Sequence, residues 1–348
     1  MLLVVNRNKK KIAAVAAGIM AICLALFAAV AVFSLQPLDK RADNKRLITI
    51  PDGASTKEIA VVLRQEQVIR NPWIFRMLTR WKHFDNKLQA GEYELSTAMT
   101  LPQILHKIAE GDTLSYVFTI PEGYTVEQIA ALLSAEGLVN HDRFLELARK
   151  GLPPYESLEG HNPAVAYALE GLLFPDTYKI PQGMKEEEIL AMMLRKFALT
   201  VTEDMRAQAA AEGLNMHQLV TLASLVEREA KVERERPIIA AVFLHRIKID
   251  MPIQSCATIQ YILGTPKQEL SIQDTQIESP YNTYLHAGLP PGPIANPGLA
   301  SIQAVLNPAN TDVLYFVAKP DGTHIFSRTY EEHVLAIEQV DMMAVNKI

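Results

Sequence analysis

The chain has 348 residues, of which 49% are hydrophobic, and its formal net charge is −5. At roughly 100–200 residues per domain, this length predicts two domains or one large domain. The negative net charge and the lack of a long stretch of basic residues argue against a nucleic-acid-binding protein. Two cysteines, Cys23 and Cys256, lie far apart in the sequence, so no disulfide framework is indicated.

The N-terminus carries a membrane signal. Basic residues at positions 7 and 9–11 precede an uncharged apolar run at 12–35, and about 20 apolar residues span a bilayer as a helix. The positive-inside bias places residues 1–11 in the cytoplasm and the rest of the chain outside. A cleaved signal peptide is the alternative, although its apolar core is usually only ~7–15 residues long. We therefore expect a single-pass anchor in the inner (plasma) membrane, followed by a linker at 36–46.

A short pattern of isoleucine, proline, any residue and glycine recurs three times, at residues 50–53, 120–123 and 180–183. A further isoleucine follows each copy at the same interval, at Ile59, Ile129 and Ile189. The residue before proline favours extended geometry, and a nearby glycine is typical of a turn. Each copy therefore predicts a strand, a turn and a helix. Small units of this kind, over residues 47–150, suit a binding module, with a mere spacer as the alternative.

Further elements are predicted along the rest of the chain, and the fold class is α+β. Between the first two copies we expect a strand at 91–95 and a helix at 101–109 that ends at Gly111. The predicted elements downstream are helices at 216–233 and 238–249, a long loop at 252–308, a hairpin at 314–326 and a helix from 330 to about 345.

The helix predicted at 216–233 carries the most specific chemical signal. Glu229 follows Leu222, Leu225 and Val226 at helical spacing, so it lies on the apolar stripe. Burial raises the pKa of a carboxyl group and keeps it protonated, as a general acid requires. Glu227 has Lys231 four residues on, which favours a solvated surface pair. A carboxylate at the helix edge that reaches solvent is the alternative for Glu229.

Other chemistries lack their sequence patterns. The chain has no nucleophile-elbow motif, no zinc-protease motif and no phosphate-binding glycine loop, so no cofactor or metal is predicted. His324 and His333 are interpreted as core or surface residues. No cysteine-enzyme signature surrounds Cys256.

The segment Leu222-Ala223-Ser224-Leu225-Val226-Glu227-Arg228-Glu229 resembles the active-site helix of the endolytic murein transglycosylase family, also called the YceG-like family. Similar motifs follow the family's order at residues 170–178, 240–246, 279–284, 288–298 and 314–317. The resemblance implies a membrane anchor, a LysM-like region and a mixed α+β catalytic domain at 151–348. It also implies a lyase that cleaves the MurNAc–GlcNAc bond of nascent peptidoglycan strands, with Glu229 as its catalyst. Penicillin-binding synthases and the elongation or division machinery are partners implied by the family alone.

One motif departs from the family. Residues 254–258 read Gln254-Ser255-Cys256-Ala257-Thr258, where the family often has Gln-x-Asp-Pro-Thr. Because the aspartate is lost, we expect Glu229 to act alone, first as acid and then as base. The remaining predicted site residues are sugar contacts or second acids: Gln254, Thr258, Tyr281, Asn282, Tyr284, Glu170 and Asp176. The alternatives are a hydrolase that uses Glu229 with Asp176, and a scaffold without catalytic activity.

Overall fold

The computed structural model describes residues 2–40, 43–153, 164–265, 267 and 270–345. The chain divides into two compact units. Unit 1 comprises residues 1–116 with 180–183, and unit 2 comprises 117–179 with 184–348.

The first helix, α1 (Leu2–Leu35), includes the predicted apolar run. Its segment Ala17–Leu35 is the only helix in the described part of the chain that is long and apolar enough to cross a membrane. An anchor and an N-terminal signal sequence share these properties, so the helix fits both interpretations of the sequence.

Unit 1 contains two strands and three further helices: β1 (Lys45–Ile50), α2 (Thr56–Gln65), α3 (Pro72–Trp81), β2 (Gly91–Ser96) and α4 (Leu101–Glu110). The strands pair antiparallel, with Ile48 opposite Tyr93. Alternate residues of β1 face inward, where Ile48 and Ile50 join a core contributed by α2, α3, β2 and α4. The predicted strand and helix are confirmed, and Gly111 ends α4 in the left-handed conformation, with φ +68°.

The sequence recurrence is also a structural repeat. The second copy forms β3 (Ser115–Thr119), α5 (Val126–Ala135), α6 (His141–Lys150) and β4 (Thr177–Pro181), and the two strands pair. The turn glycines have nearly the same positive φ, +70° at Gly53 and +76° at Gly123. Ser55 and Thr125 then start α2 and α5 with matching capping boxes. The third copy leads from β4 into α7 (Glu186–Thr200).

The boundary between the units differs from the division expected after residue 150. Most of the second copy belongs to unit 2, because buried polar groups join it to distant parts of that unit. The amide N–H of Val126 donates to the carboxylate of Glu170 (3.0 Å). The amide N–H of Asn296 donates to the carbonyl of Tyr124 (2.8 Å). A sequence pattern does not reveal such contacts, since the partners lie tens of residues apart.

The rest of unit 2 consists of helices and one hairpin. Its elements are α8 (Glu203–Ala211), α9 (Met216–Glu229), a 3-10 turn (Glu233–Glu235), α10 (Arg236–Lys248), α11 (Cys256–Leu263), a second 3-10 turn (Asp274–Gln276), α12 (Leu299–Leu306), β5 (Tyr315–Ala318), β6 (His324–Ser327) and α13 (Tyr330–Val345). Helix α9 packs against α8, α10, α11 and α12. Every residue from Leu219 to Val226 is buried, so α9 is the central helix of the unit.

Two predictions for unit 2 were wrong. Helix α9 ends at Glu229 instead of residue 233, because Ala230 and Val232 adopt extended backbone. The segment 252–308 contains α11 and α12, which were expected to be loop. Both helices have only eight residues, too few for a clear helical period. The predicted hairpin and final helix are confirmed, with Tyr315 opposite Ser327.

Gly171 is placed where no side chain fits. Its φ is +83°, and a Cβ there would lie 2.6 Å from Pro293 Cγ and 2.7 Å from Val220 Cγ1. We expect Gly171→Ala to destabilise unit 2 by about 2 kcal/mol or more, from backbone strain plus overlap. Gly137→Ala is the matched control, since φ is +71° but the space is open. It isolates the backbone strain, about 1 kcal/mol. Thermal melting followed by circular dichroism compares the two, and equal losses would contradict the steric argument.

Candidate active site

Two glutamates at the end of α9 point to the starts of two different helices. Glu227 is directed to α12: one carboxylate oxygen accepts hydrogen bonds from the amide of Gly298 (3.0 Å) and from Ser301 Oγ (2.8 Å). The other oxygen pairs with Arg236 Nη2 at 3.2 Å. The side chain of Glu227 is only 6% exposed. The expected surface pair with Lys231 was therefore wrong, since α9 ends before residue 231 and cannot bring it one turn above Glu227.

Glu229 is directed to α11 and is half-buried. Its Oε1 accepts a hydrogen bond from Ser255 Oγ and a second from the amide N–H of Ala257 (3.3 Å). Ser255 is the N-cap of α11, and Ala257 lies in its first turn. The carboxylate of Glu229 therefore faces the N-terminus of α11.

Ser255 is held rigidly, although it was absent from the predicted site residues. Its side chain is buried, and its amide donates to Thr283 Oγ1 (3.0 Å). Thr258 Oγ1 donates to the carbonyl of Ser255 (2.8 Å) and lies 3.0 Å from Thr283 Oγ1. The sequence signal for Ser255 was a serine immediately before an apolar run, which is typical of an N-cap.

Thr258 and Asn282 were expected to contact sugar, but the structure buries both side chains completely. The hydroxyl of Thr258 is used within the network around Ser255. The amide nitrogen of Asn282 donates to the carbonyls of Thr275 (3.1 Å) and Ile277 (2.8 Å). Its oxygen accepts from the amide of Tyr284 (2.9 Å). Both side chains are therefore used within the fold: Thr258 holds Ser255, and Asn282 holds the loop at 275–284.

Gln254 and Cys256 flank Ser255 in the sequence and have exposed side chains, and Tyr284 is half-buried. Gln254 has φ +52°, a strained conformation for a residue other than glycine. Tyr284 Oη lies 3.1 Å from Cys256 Sγ. Partial burial raises the pKa of the Tyr284 phenol well above its ordinary value, so this hydroxyl stays neutral and available as a hydrogen-bond donor.

Glu170 and Asp176, the candidates for a second acid, are both engaged elsewhere. Oε1 of the buried Glu170 accepts from Val126 N (3.0 Å) and Asn296 Nδ2 (3.1 Å), and Oε2 accepts from Tyr261 Oη (3.2 Å). Burial raises its pKa to about 8. Asp176 pairs with Lys196 at 2.6 Å, which holds its pKa below the usual range. Neither carboxylate shares a hydrogen bond with Glu229 among the described residues.

A cavity of about 360 Å³ lies beside this site. Its wall includes Arg228, which precedes Glu229, and Ala257, whose amide donates to Glu229. The aromatic rings of Tyr261 and Tyr281 also line it, with centroids 5.1 Å apart. Charged and polar side chains, Glu170 among them, line the cavity together with these rings, whereas Glu229 itself does not line it. A lining that mixes aromatic and polar groups suits a polar ligand of sugar size.

His324 is occupied by a structural contact. Its Nδ1 lies 2.7 Å from a carboxylate oxygen of Glu235, and both side chains are buried. Within the residues that the structure describes, no group of three or more His, Cys, Asp and Glu side chains is arranged to hold a metal ion.

The fold and the site define a class of protein: a two-unit α+β chain in which one accessible carboxylate, held at the end of a buried helix, lies beside a cavity. Within that class, the chain belongs to the YceG-like family, whose family model matches residues 48–339. The predicted family resemblance is therefore confirmed.

Two relatives and one solved structure illustrate this similarity. An endolytic murein transglycosylase of Bacillus subtilis (strain 168) is 35% identical over 317 residues, covering 88% of this chain and 87% of that protein. One from Streptococcus pneumoniae (serotype 2, strain D39) is 33% identical over 329 residues, and the match spans 59% of its length. The crystal structure of a yceG-like protein from Listeria monocytogenes is 34% identical, with a TM-score of 0.58, covering 84% of this chain and 99% of that one. The relatives' names place the family among the lytic transglycosylases, which are lyases.

Glu170 predicts a pH dependence of stability. Because its pKa is raised from 4.5 to about 8, the folded chain holds this proton more tightly than the unfolded chain does. This difference stabilises the folded chain fully below pH 4.5, and the stabilisation is lost as the pH rises through about 8. Each unit of difference between the folded and unfolded pKa contributes about 1.4 kcal/mol to the free energy of unfolding.

We expect the melting temperature of Glu170→Gln to fall less between pH 5 and 8 than that of the wild type, since glutamine does not ionise. Glu136→Gln, at an exposed site, is the control and should keep the wild-type slope. Identical slopes for all three proteins would show that Glu170 does not titrate in this range.

Proposed function

We propose that the chain is an endolytic lytic transglycosylase that cleaves the MurNAc–GlcNAc bond of peptidoglycan strands, with Glu229 as acid and then base. The observation that carries this proposal is the arrangement of Glu229, one carboxylate that is accessible and fixed through one oxygen at the start of α11. Family membership and the names of the relatives support the substrate.

We infer separate tasks for the two oxygens of Glu229 from its hydrogen bonds. Ser255 Oγ accepts the amide N–H of Ala257 (3.2 Å), so its own hydrogen is directed to Glu229 Oε1. Because Oε1 is already an acceptor, the catalytic proton is carried by Oε2. Both donors also stabilise the negative charge that remains after Glu229 has given up its proton.

The reaction follows from these tasks. Oε2 protonates the glycosidic oxygen while the bond to C1 of MurNAc breaks and the ring develops oxocarbenium character. The carboxylate then takes the proton of the C6 hydroxyl as O6 attacks C1. A 1,6-anhydro ring closes, Glu229 recovers its proton and no water is consumed.

A single carboxylate is sufficient for this route, whereas ordinary glycosidases use two. The family's frequent aspartate is replaced by Cys256 in this chain. Glu170 is buried among hydrogen-bond donors, and Asp176 is paired with Lys196. These placements favour the lyase over a hydrolase that uses Glu229 with Asp176. Gln254, Tyr281 and Tyr284 are the proposed sugar contacts.

The proposal includes the location of the protein. Helix α1 serves as an uncleaved anchor in the inner membrane, with residues 1–11 in the cytoplasm and both units outside. In unit 1 the strands β1 and β2 enclose the helices α2 and α3 in the sequence, and this order supports a LysM-like role in binding glycan. Action on nascent strands would terminate their elongation, close to penicillin-binding synthases and the elongation or division machinery.

Product analysis tests the activity. The full chain in detergent is incubated with peptidoglycan, and new strand ends are identified by mass spectrometry. We expect anhydro ends; reducing ends would indicate the hydrolase, and no new ends would indicate the scaffold. Glu229→Gln should lower the rate at least about 100-fold, since it removes the general acid, while Glu136→Gln should not. Undiminished anhydro ends from Glu229→Gln would refute its assignment.

Ser255 is expected to be a positioning residue. Ser255→Ala removes a hydrogen bond to a charged group, ~1.5–3 kcal/mol, which corresponds to a loss of roughly ten- to a hundredfold in kcat. KM should change little, because Ser255 is buried and does not face the substrate. Ser255→Thr keeps the hydroxyl and should recover most of the rate. Equal losses in both variants would mean that packing, and not the hydroxyl, matters at this position.

A further inference from the structure

Helix α3 of unit 1 leaves an apolar stripe exposed. Trp73, Met77 and Trp81 are 53%, 42% and 73% exposed, and their spacing of four residues puts them on one face. The opposite face, with Ile74 and Phe75, is buried in the core of unit 1. Trp73 and Trp81 are also the only two tryptophans in the sequence.

This face lies beside the apolar helix α1. The rings of Trp73 and Phe27 meet edge to face, with centroids 5.8 Å apart. Arg70, just before α3, fixes the end of α1: its Nη2 donates to the carbonyls of Pro37 (2.6 Å) and Leu38 (2.9 Å). Its guanidinium also lies 4.3 Å from the ring centroid of Phe33. The last turns of α1 are therefore part of the fold of unit 1.

The length of α1 indicates where the bilayer ends. A hydrocarbon core of ~30 Å needs about 20 helical residues at 1.5 Å each. Counted from the end of the basic cluster at 9–11, this length reaches Ala31. Ala31 and Leu35 already pack against the core of unit 1. Phe27 and its neighbour Trp73 thus fall near the outer boundary of the membrane.

The charges on α3 fit the same location. The helix contains no acidic residue, and Arg76 and Arg80 are exposed on the face that carries the stripe. Lys82 Nζ lies 5.4 Å from the ring centroid of Trp81. Tryptophan is enriched at membrane–water interfaces, and basic side chains are attracted to anionic headgroups.

We propose that the α3 face formed by Trp73, Arg76, Met77, Arg80 and Trp81 inserts into the outer headgroup layer of the phospholipid bilayer that α1 spans. This inference rests on the proposed membrane anchor. It gives unit 1 a second attachment to the membrane besides α1.

Tryptophan fluorescence tests the contact in the full chain. Trp73→Phe leaves Trp81 as the single tryptophan, and the protein is reconstituted in phosphatidylcholine–phosphatidylglycerol vesicles. Lipids brominated near the headgroup end of the acyl chain should remove most of the Trp81 emission, which should also be blue-shifted and shielded from aqueous acrylamide. Trp81 that is quenched by acrylamide but not by brominated lipid overturns the proposal and would leave the face to a protein partner.

Two controls separate the possible causes. Flotation of the vesicles after an alkaline wash reports on α1: a chain that is washed off refutes the anchor, and with it this inference. A chain that floats while Trp81 stays in water refutes the α3 contact alone. Arg76→Gln with Arg80→Gln should weaken the lipid quenching of Trp81, whereas Lys57→Gln with Lys107→Gln, at basic residues of α2 and α4, should not. Equal effects of the two pairs would contradict the charge argument.

Discussion

The buried ion pair between Glu227 and Arg236 fixes the end of α9, and the geometry of the site depends on it. Arg236 also donates through Nε to Ser301 Oγ (3.0 Å), so one guanidinium joins α9, α10 and α12. The pair is largely shielded from water, and the same guanidinium lies 3.9 Å from Glu122, so α9 is tied to its neighbours by several polar contacts. Because the backbone is held at Glu227, Glu229 projects from a fixed last turn toward α11.

Glu227 and Glu229 lie in the same turn of α9 but have different environments. Both interact with the start of a short helix, α12 for Glu227 and α11 for Glu229. Glu227 is also neutralised by Arg236 and closed off from solvent. The donors to Glu229 within the described part of the chain are a hydroxyl and a backbone amide, and its side chain is half-buried. This difference favours a structural role for Glu227 and leaves Glu229 as the candidate acid.

Sequence patterns predicted the elements that depend on local signals. The three turn glycines, the hairpin and the start of α9 follow from residues close together in the chain. The surroundings of Glu227 could not be predicted in this way, because its partners Arg236, Gly298 and Ser301 are brought to it only by folding. The error about Lys231 has the same origin: the chain leaves the helix at Ala230, and no helix-stop residue announces it. The family was identified by several motifs that occur in the same order along the chain, whereas helical periodicity alone did not identify it.

The second copy of the repeat is connected to the candidate site through its first helix, α5. In both copies a capping box starts the first helix, but in the second copy the buried Glu170 also accepts the amide of Val126. Glu170 is in turn bonded to Tyr261 of α11, so the repeat is connected to the helix whose other end holds Glu229. Glu170 therefore links the repeat to α11 and also lines the cavity beside that helix.

The substitution within residues 254–258 changes more than one group. The family often has proline at the position of Ala257, and proline has no N–H to donate. In this chain the N–H of Ala257 reaches both Ser255 Oγ and Glu229 Oε1. Cys256 removes a neighbouring acid, while Ala257 adds a donor to the remaining one. Both changes fit the proposed role of Glu229 as acid and base: the neighbouring aspartate is absent, and the amide can stabilise the charge that remains when a proton leaves.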